Sequence, residues 1–223
     1  MDAIPRTINI DDWITPVFGG ILLVLAILKS RQTDRFYNFL RILATDKFFR
    51  ESHKNPKTLF DAFTKSLFVV QAIVFSLVIH LMLVQWKVLE DMSFLVYLQI
   101  LLLYMVFVVG KYLIERMLGV LFSLEEVLRE YVFFKISSKN FMALVIIPFL
   151  LLIVYTLPQN IFLHQVLILL WLLLNIVFLG YYYYKNSKLI SGNLYYIILY
   201  LCTFEIAPYY LLFKVFMKAN YVA

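Results

Sequence analysis

Blocks of about twenty apolar residues recur along this chain, each separated from the next by a short charged or turn-forming stretch. About twenty such residues, at about 1.5 Å rise each, cross a bilayer hydrocarbon core of about 30 Å. In lipid a backbone has no water to bond, so a spanning segment of this kind folds as a helix. The expected fold is therefore an all-α integral membrane protein. Composition agrees, because 63% of the 223 residues are hydrophobic and 15% charged, with a mean hydropathy of +0.86. Soluble domains run at about 45–50% apolar and about 25% charged.

Six membrane helices are expected, at about 13–28, 66–86, 94–113, 141–157, 164–184 and 194–213, in a single polytopic domain covering 1–223. The first follows Asp2, Asp11 and Asp12, the reverse of the basic start of a signal peptide, so it is read as part of the mature protein. Two further helices are expected to lie at the membrane surface on the cytoplasmic side. One covers about 34–45, where Phe36, Phe39, Leu40 and Leu43 form an apolar stripe with Arg35 and Arg41 off it. The same stripe also fits a helix packed on the ends of its own bundle. The other covers about 124–134, after the capping-box spacing Ser123-Leu124-Glu125-Glu126. Ser137 to Asn140 is expected to separate it from the fourth span, which Pro148 should kink. Lys111 and Glu115, four apart on one helix face, are expected to pair.

The formal charge of +6 raises the question of nucleic acid, but topology accounts for it better. With the amino terminus outside, sixteen of the twenty Lys and Arg residues fall on inner loops, which leaves Arg6, Lys87, Lys214 and Lys218 outside. Under the positive-inside rule both termini are then periplasmic in a bacterial inner membrane. Arg31, Arg35 and Arg41 are the basic residues expected at the membrane surface, facing anionic lipid. The lipid bilayer and other integral membrane subunits are the expected partners, and nucleic acid is not.

Chemistry concentrates around Glu205, a lone carboxylate three residues before Pro208 in the sixth span. A carboxylate in lipid is costly, and a proline frees a backbone carbonyl, so both call for partners from other helices. Counting about 1.5 Å per residue puts Glu205 and Asn175 each roughly 16 Å into the membrane, with His80 a little nearer the outer face. Lys111 lies near the inner boundary as a possible counter-charge. Glu205, Asn175, His80 and Lys111 are thus expected to form one buried polar cluster. It reads either as a register lock for the helices or as a proton site. No catalytic residue is nominated, since HExxH, GxSxG and P-loop patterns are all missing from the sequence. Cys202 is read as packing, and no metal or cofactor is expected.

The segment LYLCTFEIAPYYLLFKVF, Leu199 to Phe216, also resembles the closing signature of a family of polytopic inner-membrane proteins of Bacteroidota, the domain of unknown function 4271 family. The likeness rests on Tyr200, Leu201, Cys202, Glu205 and Pro208 in a Tyr-Leu-Cys-x-x-Glu-x-x-Pro pattern. It implies a cell-envelope protein of a Gram-negative bacterium and no particular mechanism. The expected function is a non-enzymatic subunit or scaffold of a larger envelope complex, such as one for protein export. The alternatives are a small proton- or ion-coupled transporter centred on Glu205 and a lipid-modifying enzyme.

Overall fold

The computed structural model describes residues 13–42, 61–86, 88–89, 93–121, 125–156 and 161–185, and these are helical apart from short turns and caps. Six helices follow in order: α1 (Ile14–Arg31), α2 (Thr33–Leu40), α3 (Ala62–Gln85), α4 (Phe94–Leu121), α5 (Glu125–Tyr155) and α6 (Ile161–Lys185). Five of them, all but α2, are long and apolar enough to cross a membrane. The expected sixth span at 194–213 lies outside the described residues. By Cα packing the chain divides into two compact units, Met1–Leu174 and Asn175–Ala223. Of the second, only the end of α6 is described.

Local chemistry sets the helix ends. Asp61 stands in extended conformation before α3 and its carboxylate accepts from the Ala62 amide at 2.8 Å, which satisfies one of the open amides at the helix start. Gln32, with φ −138° and ψ 57°, is the one non-helical residue between α1 and α2. Its amide donates to Leu28 O, while Ser30 and Thr33 hydroxyls donate to Ile27 O and Lys29 O. The bonds to Leu28 O and Lys29 O satisfy carbonyls that the end of α1 would otherwise leave open.

Inside the first unit α3 is the central helix, packing against α1, α4 and α5, most extensively α5. Its length is lined by buried Phe63, Leu67, Val70, Val74 and Leu77. From α5 come Met142, Ala143, Ile146, Leu150 and Ile153, and from α1 Ile14, Phe18 and Ile21. α4 is equally apolar yet mostly exposed, as suits a helix at the edge of a bundle in lipid.

Two expectations need correction. The surface helix at 124–134 is not a separate element, because α5 runs unbroken from Glu125 to Tyr155 through Ser137–Asn140. Ser137, Ser138 and Asn140 are 1%, 4% and 2% exposed, and the Ser138 hydroxyl donates to Phe134 O within the helix. Small polar residues that read as a loop here let two helices approach closely. α5 also continues past Pro148, which sits on its exposed side. The third span likewise extends past 113, as α4 reaches Leu121.

At 34–45 the helix covers Thr33–Leu40, and two residues of its stripe turn inward, Phe36 at 9% and Phe39 at 0% exposed, while Leu40 is 44% exposed. The Phe39 ring meets Phe63 and Phe141 edge-on, at 5.9 and 6.2 Å. Phe36, Phe39 and Ile42 are buried against the protein itself, as one of the two readings of this stripe expects, while Tyr37 and Leu40 stay exposed. Leu43 to Ala44 and beyond lie outside the described residues.

Candidate functional site

Polar contacts among the described residues join helices that are distant in sequence, and four of them fix how the helices stand against one another. The Tyr155 hydroxyl, at the end of α5, donates to Thr15 Oγ1 at the start of α1 across 2.9 Å. Gln71 of α3 donates through Nε2 to the Tyr104 hydroxyl of α4, also at 2.9 Å. Lys135 of α5 donates through Nζ to Glu115 Oε1 of α4 at 2.8 Å. Arg35 of α2 pairs with Asp61 and lies 5.1 Å over the Phe63 ring.

Read at about 1.5 Å per residue, these contacts set a common level. Sixteen residues separate Thr15 from Arg31 and Tyr155 from Lys139, so Arg31 and Lys139 stand at one depth. Four residues separate Glu115 from Lys111 and Lys135 from Lys139, which brings Lys111 to the same depth. Six residues separate Gln71 from Lys65, and Tyr104 lies seven before Lys111, so Lys65 joins them. Four basic residues scattered over the sequence therefore share one level across α1, α3, α4 and α5. Arg31 and Lys65 are exposed there, and Lys139 lies 5.3 Å over the Trp171 ring.

An aromatic level lies opposite. His80, 0% exposed, is held edge-on by Trp13 at 6.0 Å and Tyr97 at 6.2 Å, with Phe94 against Trp13 at 5.5 Å. Tyr97 also donates to Ile73 O at 3.4 Å. From Tyr97 to Lys111 is fourteen residues, about 21 Å, and from Trp86, six residues beyond His80, to Lys65 is twenty-one, about 31 Å, the second matching the thickness of a hydrocarbon core.

The expected cluster fares unevenly in this frame. Glu205, Pro208 and Cys202 lie outside the described residues. Asn175 belongs to the second compact unit. His80 and Lys111 stand at opposite levels, roughly 20 Å apart along the bundle, so the structure does not bring these two together. Arg35 is turned in on Asp61 and Phe63, Arg41 stacks 5.4 Å over Tyr37 of its own helix, and Arg31 is exposed at the end of α1.

Among the described residues the buried acid is Glu115, at 3% exposure. Its partner Lys135 was obscured by the loop expected just after it. The signal that points to Lys135 is the run from Leu124 to Ile147, which contains neither Gly nor Pro and so favours one continuous helix. Among the described residues no group of three or more His, Cys, Asp or Glu is placed to hold a metal.

The Gln71 link carries a test. Gln71 is 3% exposed, and its Oε1 has no partner among the described residues. Tyr104→Phe removes the partner of its amide nitrogen as well and should destabilise the protein by about 1–2 kcal/mol. Tyr104→Phe combined with Gln71→Leu should recover most of this in thermal unfolding in detergent; no loss in the single variant would refute the link.

Five helices long and apolar enough to cross a membrane, joined by amide, hydroxyl and ionic contacts, define an all-helical protein of membrane character. The chain belongs to the family described as domain of unknown function (DUF4271), whose profile matches residues 14–216. No curated protein and no solved structure matches it.

Proposed function

We propose that the protein is a non-enzymatic, multi-pass subunit or scaffold of a larger cell-envelope complex in a bacterial inner membrane. Protein export is the envelope process we assign to it. The observation that carries this reading is the burial of Glu115 against the half-buried Lys135 in a hairpin that overruns the basic level. A carboxylate serving transport or catalysis needs contact with solvent or substrate. Glu115 instead faces a lysine, keeps 4% of its side chain exposed, and holds α4 to α5. The Gln71–Tyr104 contact links α3 to α4 in the same manner, and an exposed Thr15–Tyr155 contact links α1 to α5.

Under the positive-inside rule the level of Arg31, Lys65, Lys111 and Lys139 faces the cytoplasm and the Trp13–Tyr97 level the periplasm. The amino terminus then lies on the periplasmic side, and six spans return the carboxyl terminus there. Purification of the tagged chain from its native membrane in mild detergent should retain another integral membrane protein in stoichiometric amount. A lone monomer or homodimer in native mass measurement would refute the reading.

A further inference from the structure

We propose that the exposed face of α4 beyond the basic level seats an amphipathic helix of a partner protein, one whose apolar stripe is flanked by carboxylates. This deepens the subunit reading and rests on it. The face consists of Leu113, Ile114, Met117, Val120 and Leu121, which are 52%, 47%, 65%, 59% and 73% exposed.

The argument starts from length. Leu95, Leu102, Leu103 and Val106 are exposed on the same side of α4, so one apolar stripe runs the whole 28-residue helix. That is about 42 Å, against a hydrocarbon core of about 30 Å. The contacts at Gln71–Tyr104 and Glu115–Lys135 set Lys111 level with Lys65 and Lys139, so the excess falls entirely at the basic end. Met117 to Leu121 then stand roughly 9–15 Å past the lysines, where lipid tails do not reach. An apolar strip of this kind outside the hydrocarbon marks an interaction surface.

Charge selects the occupant. Glu115 is turned inward onto Lys135, whereas Arg116, its neighbour on α4, is exposed along the edge of the stripe, and Arg129 of α5 is exposed too. A helix that fills the strip and answers these arginines carries apolar residues at three- and four-residue spacing with Asp or Glu beside them. Such complementarity governs which partner docks and in what register.

The test places a photoreactive residue, one per variant, at Met117, Val120 and, as the lipid-level reference, Val106, with irradiation in the native membrane. Met117 and Val120 should give the same protein adduct, mapped by mass spectrometry to a partner segment with carboxylates flanking an apolar helical stripe. Val106 should not give that adduct. Arg116→Glu should reduce it about tenfold, and Arg116→Gln, which stays soluble on this exposed edge, should reduce it less. Lipid adducts alone at Met117 and Val120, as in a tilted helix sunk wholly in the bilayer, would overturn the proposal. So would adducts between two copies of this chain, a partner segment without acids, or indifference to Arg116→Glu. If the wild-type chain retains a partner on purification while these sites give only lipid, the subunit role stands and this surface fails. If it retains none, both fail.

Discussion

Glu115→Ala should lower the midpoint of thermal unfolding in mild detergent by about 10 °C. Removing one member of a buried ion pair leaves the other charge without its partner, at about 3–5 kcal/mol. Lys135 keeps 20% of its side chain exposed and sits beyond the basic level, so the lower end of that range applies. For a chain of about 150–250 residues each kcal/mol moves the midpoint by about 2–4 °C. The pair is a link between two helices, so replacing both ends should be far milder than replacing one. Glu115→Leu with Lys135→Met fills similar volume without charge and should return most of the loss. The exchanged pair, Glu115→Lys with Lys135→Glu, should also melt above Glu115→Ala. If the single variant melts with the wild type, the pair does not hold α4 to α5.

Ser138→Pro should abolish accumulation of folded protein in the membrane, while Ser138→Ala should leave it nearly unchanged. Position 138 lies thirteen residues into a 31-residue helix and is 4% exposed. Proline there removes the amide donor and drives its ring against the carbonyl of Phe134, at about 3 kcal/mol or more, before any packing against α3 is lost. Alanine removes only a hydroxyl whose bond stays within the turn, to Phe134 O at 2.8 Å. A four-residue loop at Ser137–Asn140 would accept the proline. The ratio of the two variants in membrane fractions therefore separates a continuous α5 from a surface helix joined to a span.

Asn175 and the sixth-span residues Glu205 and Pro208 dominate the sequence as chemistry, because an isolated carboxylate beside a proline stands out against apolar neighbours. In the described fold the buried acid is a different one, Glu115, whose sequence neighbours Lys111 and Arg116 made it look like part of an inner loop. Depth counted along single helices put His80 a little to the outer side of Glu205 and Asn175; in the fold its ring lies between Trp13 and Tyr97. The same count left Lys111 free to reach inward. Only the contacts between helices separate the two by roughly 20 Å.

What the sequence determined by itself is the class of fold: apolar blocks as long as a bilayer is thick leave helices as the only way to satisfy the backbone. The family profile over residues 14–216 belongs with that, since it too is read from residue order. Tertiary structure decided the inward turn of Phe36 and Phe39, the choice of an unbroken α5 over a loop at Ser137–Asn140, and the pairing of Glu115 with Lys135. The physical reason is common to all three. An amphipathic stripe suits lipid or protein, a run of small polar residues suits a loop or a close helix contact, and a carboxylate suits any nearby cation. Which one forms depends on groups that lie twenty to a hundred residues away and meet only when the helices pack.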